Sequence, residues 1–299
     1  MKLKRFDLNH LPKNEKPISI ILGYFDGLHL GHQFLIEQAR KAASFDTVLM
    51  TFSKPVSFVL NKEKTPAILT SLDDRFRIVS KMGINEFYVF EINEEFLNLS
   101  PLSFVQILQK LNVKEVFCGT DFRFGKNREG TPEFLKEFFD VNVCDLLLEN
   151  NEKISARDIR YLIKQGNIKE ANRLMGHNYL ISGSVIHGLG IGRKMGVRTM
   201  NMKLADSYVI PKFGVYKTIA YIDGIPHRSI TNVGVKPTVD DSNKISIEIH
   251  VENYAEENYS ETIQLEFLDF IRPEKKFSSL EELKKQIESD IEFVFGSQY

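Results

Sequence analysis

A change of rhythm near Tyr179 constrains this chain more than any other feature. Before it, short apolar runs alternate with helical patterns. Residues 18–23 (ISIILG) read as a buried strand, and Phe34, Leu35, Gln38, Ala39 and Ala42 lay a helical stripe over 31–44. TVLMTF, FYVF, EVFCG and NVCDLLL supply four further strands. Between them lie a helix over 73–82 stopped by Gly83, a helix opened by Ser100-Pro101 and ending near Leu111, and a short one after Thr131-Pro132. Such alternation predicts an α/β fold, a doubly wound parallel sheet with helices on both faces. Ligands of such sheets bind outside the carboxyl ends of the strands. After Tyr179 the runs LISGSVIHG, GVYKTIAYID, RSITNVGV, SIEIHVENY and TIQLEFLDFI follow one another with turn residues between them. Closely spaced strands of this kind predict a small antiparallel sheet or β-barrel. A last helix follows, with Ser278 and Glu281 as a capping box and Leu283, Ile287, Ile291 and Val294 on its apolar face. Two short helices, over 157–165 and from the cap Asn167 to Gly176, connect the halves. The expected domains are therefore 1–176 and 177–299.

Composition narrows the function classes. Lys and Arg total 39 against 40 Asp and Glu, so no overall basic field is aimed at nucleic acid. The two cysteines, Cys118 and Cys144, sit in apolar runs and read as buried free thiols. No run approaches the ~18 apolar residues of a membrane span. The basic start MKLKRFDLNHLPKNEKP lacks the apolar stretch of a secretory signal. The expectation is a cytoplasmic protein acting on small molecules, with neither nucleic acid nor membrane as partner.

The segment GYFDGLHLGH lies between the first strand and the first helix. Gly31 lets backbone approach a ligand, and the helix start offers free N–H groups and a positive dipole end to phosphate. His29 and His32, flanking Leu30-Gly31, can donate to a triphosphate and stabilise charge that develops on it. A histidine pair at this place, preceded by Gly-x-Phe-Asp-Gly, marks a nucleotide site built from Gly23, Phe25, Asp26, Gly27 and Gly31.

The His-x-Gly-His spacing resembles the signature of a nucleotidyltransferase superfamily. The longer GYFDGLHLGHQ is similar to that of the bacterial FAD synthetases, the prokaryotic riboflavin kinase/FMN adenylyltransferases. TFSKP (51–55), GTDFRFGKNREG (119–130) and ISARDIR (154–160) follow in the family's order. The resemblance implies adenylyl transfer: the FMN phosphate attacks the α-phosphate of ATP and pyrophosphate leaves. His29 and His32 would contact ATP phosphates, and Arg160 with Ser155 would hold phosphate from the opposite side. Asp121, Phe122 and Phe124 would form the flavin side, although core packing explains the phenylalanines equally well from sequence. Tyr24 stands where the family usually has Asn. Ala156-Arg157 replace Ser-Thr, and Arg157 is open to two readings, a phosphate contact or a solvated charge.

GSVIHGLGIGRKMG superficially offers a dinucleotide fingerprint, but no helix pattern follows it; a glycine-rich flap over phosphates is the better reading than a fingerprint, and from bare sequence a simple turn explains the glycines more readily still. The segment resembles the family's riboflavin kinase motif through Gly183, His187, Gly188, Gly192, Arg193 and Gly196, which would bind nucleotide. The same resemblance makes Thr199 and Asn201 oxygen ligands for Mg²⁺ with ATP, Glu248 the general base on riboflavin, and Asn232 and Arg272 flavin contacts. Val197-Arg198-Thr199-Met200-Asn201 departs from the family's Phe-Pro-Thr-Ala-Asn. Losing the proline and gaining a bulky methionine implies kinase activity weaker than adenylylation. The rival readings are a monofunctional FMN adenylyltransferase with a degenerate kinase domain, and a non-catalytic flavin-binding regulator.

Overall fold

The computed structural model describes residues 1–60, 67–145, 147–149, 152–186, 199–236, 244–254 and 261–296. The chain packs as two compact units, Met1–Ala156 and Arg157–Tyr299.

In the first unit the strands β1 (Lys2–Phe6), β2 (Ile18–Leu22), β3 (Asp46–Phe52), β4 (Glu86–Phe90), β5 (Val113–Gly119) and β6 (Asp140–Cys144) form a sheet in the order β1-β4-β3-β2-β5-β6. Every pairing in it is parallel. Apolar side chains coat both faces, as the near-continuous apolar runs of a buried parallel sheet require. On one face Ile20, Val48 and Val116 meet Phe104 and Leu108. On the other, Ile21, Leu49 and Phe117 meet Leu35, Ile36 and Ala39. The helices are α1 (Leu30–Ala42), α2 (Val56–Leu60), α3 (Leu72–Ser80), α4 (Glu94–Leu97), α5 (Pro101–Lys110) and α6 (Pro132–Leu135). The Ser100 and Thr131 hydroxyls accept from the N–H groups of Ser103 and Phe134, so both cap-proline signals mark real helix starts.

Strand β1 is an addition to the expected five. Of KLKRF only Phe6 is buried, so the run carries no apolar signature. It forms an edge, where charged side chains are favoured, and Lys4 reaches Glu86 at 2.7 Å. The order reverses between β2 and β5: the chain proceeds from β2 to β3 and β4 on one side and from β5 to β6 on the other. The loops leaving β2, β3 and β5 at their carboxyl ends are GYFDGLHLGH, SKP and TDFRFG, so three separate motifs meet at this switch point. A small antiparallel hairpin, β7 (Leu148–Glu149) with β8 (Glu152–Lys153), follows β6.

The second unit begins at the second residue of α7 (Ala156–Gln165) and continues with α8 (Ile168–Met175), helices which the sequence assigned to the preceding domain. Asn172 ties α8 to the barrel: its Nδ2 donates to the Phe267 carbonyl at 2.8 Å and its Oδ1 accepts from Tyr179 N–H at 2.7 Å. Asn167 precedes α8 without a side-chain cap bond, whereas Gly176 stops it in the left-handed region at φ 70°.

Strands β9 (Tyr179–Ile186), β10 (Met200–Leu204), β11 (Gly214–Ile222), β12 (Ile225–Lys236), β13 (Lys244–Val251) and β14 (Thr262–Pro273) close into an antiparallel barrel, in the order β10-β13-β12-β11-β14-β9. Its interior holds Met200, Ile249, Tyr216 and Phe267, with a hydroxyl cluster in which Thr218 lies 2.8 Å from both Ser229 and Thr231. The last helix, α9 (Leu280–Phe295), covers the other face of the barrel wall, with Val294 against Val215 and Ile230. Its cap is one residue later than the sequence suggested. Ser279 accepts from Glu282 N–H, and the Glu282 carboxylate reaches back to Ser278 N–H at 3.0 Å.

Candidate active sites

The first site is the loop between β2 and α1. Phe25, at φ 58°, folds its ring back under the chain and is 1% exposed. A Cβ at Gly23 would lie 2.7 Å from that ring, so this close approach admits only glycine. Asp26 is buried and accepts from the N–H groups of Leu69 and Thr70 at 2.9 and 3.0 Å, while Gly27 N–H donates to Thr70 Oγ1. Phe25, Asp26 and Gly27 therefore shape the loop and pin it to the segment before α3.

That scaffold stacks two imidazoles. The His29 and His32 rings lie 3.7 Å apart at 21°, and Phe25 meets His32 edge-on. Gly31 makes room: a Cβ there would stand 3.2 Å from His29 Nδ1. Both Nδ1 atoms are buried and lack a hydrogen-bond partner among the described residues. Burial is the main cause that lowers the His29 pKa to about 4, helped by the positive charge of Lys153 and opposed by Asp121. His32 is pushed well below its usual value by burial first, then by His29, Lys153 and Arg75. At neutral pH both rings are uncharged, each with one N–H to give.

Arg75 carried no motif signal, being one charge within a helical stripe, yet it is 2% exposed. It donates to the Tyr24 carbonyl and to Thr51 Oγ1, both at 2.7 Å, tying the β2 loop to the end of β3. Its guanidinium lies 4.7 Å from the centre of the Tyr24 ring. The residue that departs from the family's Asn is thus a packing partner of this arginine. Lys153 is the other residue the sequence reading missed. It directly precedes Ile154-Ser155 and forms an ion pair with Asp121 at the head of the β5 loop.

In that loop Phe124 is a core residue, buried against Phe104 with ring centres 4.8 Å apart. Phe122 packs half-buried on Phe124 and keeps part of its face open. Ser155 stands just before α7, and Arg160 lies half-buried on that helix within the second unit. Arg157 has a side chain 93% exposed and 3.7 Å from Asp158, which fits the solvated-charge reading.

The second site is a row across the barrel. Asn201 pairs in register with Glu248, Glu248 with Asn232, Asn232 with Val215, and Val215 with Arg272. Directly opposed residues share a face, so five positions far apart in sequence fall on one line. Val215 places that line on the wall's α9-covered side, away from the interior. Asn201 is buried, Glu248 and Asn232 are half-buried, and Ser246 Oγ donates to Glu248 at 3.4 Å. Arg272 is engaged differently from expectation: its guanidinium forks onto Asp290 of α9 at 2.7 to 3.1 Å, so it anchors the helix beside the row. Thr199 precedes β10 and Gly183 lies in β9 opposite Leu204. His187, Gly188, Gly192, Arg193, Gly196 and Arg198 lie outside the described residues. Met200 pairs with Ile249, is 4% exposed and points inward, opposite to Asn201.

Asn201 and Thr199 offer hard oxygen donors in a sequence neighbourhood without thiols, which suits Mg²⁺. Among the described residues no cluster of three His, Cys, Asp or Glu side chains could hold a metal.

Comparison with known proteins matches the chain to two family models in succession. A family model described as FAD synthetase matches residues 11–158, and one described as riboflavin kinase matches 175–295. A Bacillus subtilis protein named bifunctional riboflavin kinase/FMN adenylyltransferase is 37% identical over 294 residues, covering 94% of this chain and 93% of its own. The Escherichia coli K12 protein of that name is 31% identical over 302 residues, covering 97% and 96%. A crystal structure from Streptococcus pneumoniae, described as a macrolide-efflux protein, matches with TM-score 0.89 at 29% identity, over 97% of this chain and 98% of that one. Among the described residues here, no helix is long and apolar enough to cross a membrane.

Proposed function

This chain belongs to the bifunctional riboflavin kinase/FMN adenylyltransferase family, and we propose that it carries out both reactions: riboflavin with ATP to FMN and ADP, then FMN with ATP to FAD and pyrophosphate. Adenylylation is assigned to residues 1–176, Ser155 and Arg160 included, and phosphorylation to 177–299. A cytoplasmic setting follows from the need of both steps for ATP.

The observation that carries the first assignment is the stacked, uncharged histidine pair at the start of α1, whose two Nδ1 atoms have no partner among the described residues. A buried polar atom without a partner costs stability, about 1–3 kcal/mol each. Such atoms fit a place where a ligand supplies the acceptor. In the reaction an oxygen of the FMN phosphate forms a bond to the α-phosphorus of ATP while the bond to the bridging oxygen breaks. Negative charge gathers on departing pyrophosphate. Donors fixed beforehand, such as His29 and His32, bind that charge more tightly than the starting triphosphate, which lowers the barrier. Ser155 and Arg160 supply further phosphate donors. Asp121 and the open face of Phe122 receive the flavin.

In the kinase half, Glu248 takes the proton of the riboflavin 5′-hydroxyl as its oxygen attacks the γ-phosphorus and ADP leaves. Asn201 and Thr199 would hold Mg²⁺, which neutralises phosphate charge. Asn232 on the adjoining strand positions the hydroxyl-bearing substrate. The interior placement of Met200 supports full bifunctionality over a degenerate kinase domain, because its bulk lies away from the row.

The test is incubation of purified protein with Mg-ATP and either riboflavin or FMN, with products separated by chromatography. FAD must form from FMN, and FMN from riboflavin. Absence of FAD overturns the first assignment, and absence of FMN the second.

A further inference from the structure

We infer that Lys153 is a nucleotide-phosphate ligand of the adenylylation site, and that it exchanges its resting partner Asp121 for the triphosphate when ATP binds. This rests on the adenylylation assigned above.

The histidine pair alone cannot balance its ligand. Two neutral rings donate hydrogen bonds but bring no charge to a triphosphate of about four negative charges. Within the first unit, the cations that act electrostatically on the pair are Lys153 on His29, and Lys153 with Arg75 on His32. Arg75 is buried and directed at the Tyr24 carbonyl, Thr51 and the Phe52 carbonyl. Lys153 is placed differently. Its side chain is 39% exposed and Asp121 is 56% exposed, and a solvent-exposed pair of this kind contributes little to stability. It can therefore change partners at small cost. Backbone geometry holds it close, since the carbonyl of the next residue, Ile154, would lie 3.9 Å from a Cβ at Gly31, between the two histidines.

Partner exchange also gives Asp121 two states. While ATP is absent its carboxylate keeps Lys153 oriented at the mouth of the site. Once Lys153 turns to phosphate, Asp121 is released on the side assigned to the flavin. The exchange predicts that nucleotide binding and flavin binding are coupled through this pair.

The experiment is calorimetric binding of α,β-methylene-ATP, which cannot be split at the α–β bond, to the full chain and to Lys153→Met, Lys153→Arg and Asp121→Asn. AMP serves as the ligand lacking the outer phosphates. Lys153→Met should weaken the triphosphate analogue by roughly tenfold or more, the scale of a charge-assisted hydrogen bond, and AMP by much less. Lys153→Arg should stay within about threefold of wild type, and Asp121→Asn should bind the analogue as tightly as wild type or tighter. Wild-type affinity for the analogue in Lys153→Met overturns the proposal, as does an equal loss for AMP. FAD formation by wild type is measured alongside. Its absence defeats the adenylylation assignment itself and is separable from any effect confined to the variants.

Discussion

Acid should destabilise this protein through His29, and the amount can be worked out. In the folded chain the imidazole is 5% exposed and its pKa is lowered to about 4, chiefly by burial. In the unfolded chain it returns to about 6.5. Above pH 6.5 the ring is neutral in both states and the stability is fully present. As pH falls, the unfolded chain takes up a proton that the folded chain refuses, and stability is lost until the folded pKa is reached. At about 1.4 kcal/mol for each unit of pKa difference, the loss between pH 6.5 and pH 4 is about 3 kcal/mol. His32, lowered for the same main reason, adds loss of the same sign. The assay is urea unfolding followed by far-ultraviolet circular dichroism, since the chain has no tryptophan. Wild type and His29→Gln are compared at pH 7, 5.5 and 4. The variant pays a fixed cost for lost stacking at every pH, and carboxylates elsewhere act equally on both proteins, so only the change in their difference matters. That difference should move in favour of His29→Gln by about 3 kcal/mol from pH 7 to 4. A constant difference would refute the idea that the folded site holds His29 uncharged. The same linkage requires α,β-methylene-ATP to take up protons as it binds near pH 6, because phosphate beside the rings favours their charged forms.

Three further outcomes are expected. His32→Ala should slow FAD formation by about 10²–10³-fold, the usual cost of losing one donor to developing charge, read as kcat with saturating FMN and ATP. Glu248→Gln should abolish FMN formation from riboflavin and leave FAD formation from FMN near wild type; equal loss of both activities would remove Glu248 from the kinase assignment. Breaking the fork between Arg272 and Asp290, whose side chains are only 20% and 8% exposed, should cost about 3 kcal/mol in Arg272→Met, measured by thermal unfolding.

Periodicity carried the fold because each architecture buries its strands regularly, the parallel sheet on both faces and the barrel on one. The apolar strands of the parallel sheet, and the alternating runs after Tyr179, are imposed by burial. Where few side chains are buried or the strand is short the signal fails. β1 is an edge strand with one buried side chain, and β10 is five residues long in a segment that sequence read only as non-helical. The site was legible where its residues are contiguous, as in His29-Leu30-Gly31-His32. It was not legible where it depends on distant packing. Arg75 and Lys153 act on His32 electrostatically through three dimensions, and no spacing rule joins residue 75 or 153 to residue 32.

Departures from a motif acquire meaning only once the face they occupy is known. Tyr24 and Met200 look alike in sequence, each a large side chain where the family carries a smaller one beside presumed ligands. Tyr24 has its ring beneath the Arg75 guanidinium, so it supports the loop that holds the histidines. Met200 lies one residue from Asn201, and one residue along a strand is the other side of the sheet. It pairs with Ile249 in the barrel interior, while Asn201 and Glu248 stand on the opposite face. Reverting Met200 to alanine would therefore act first on packing, removing a buried side chain at a cost of about 2–5 kcal/mol. It follows that Arg198→Pro by itself is the substitution that reports on Thr199 and Asn201, the residues proposed to hold Mg²⁺. It should change riboflavin phosphorylation without lowering the unfolding temperature, whereas Met200→Ala should lower that temperature whatever it does to the rate.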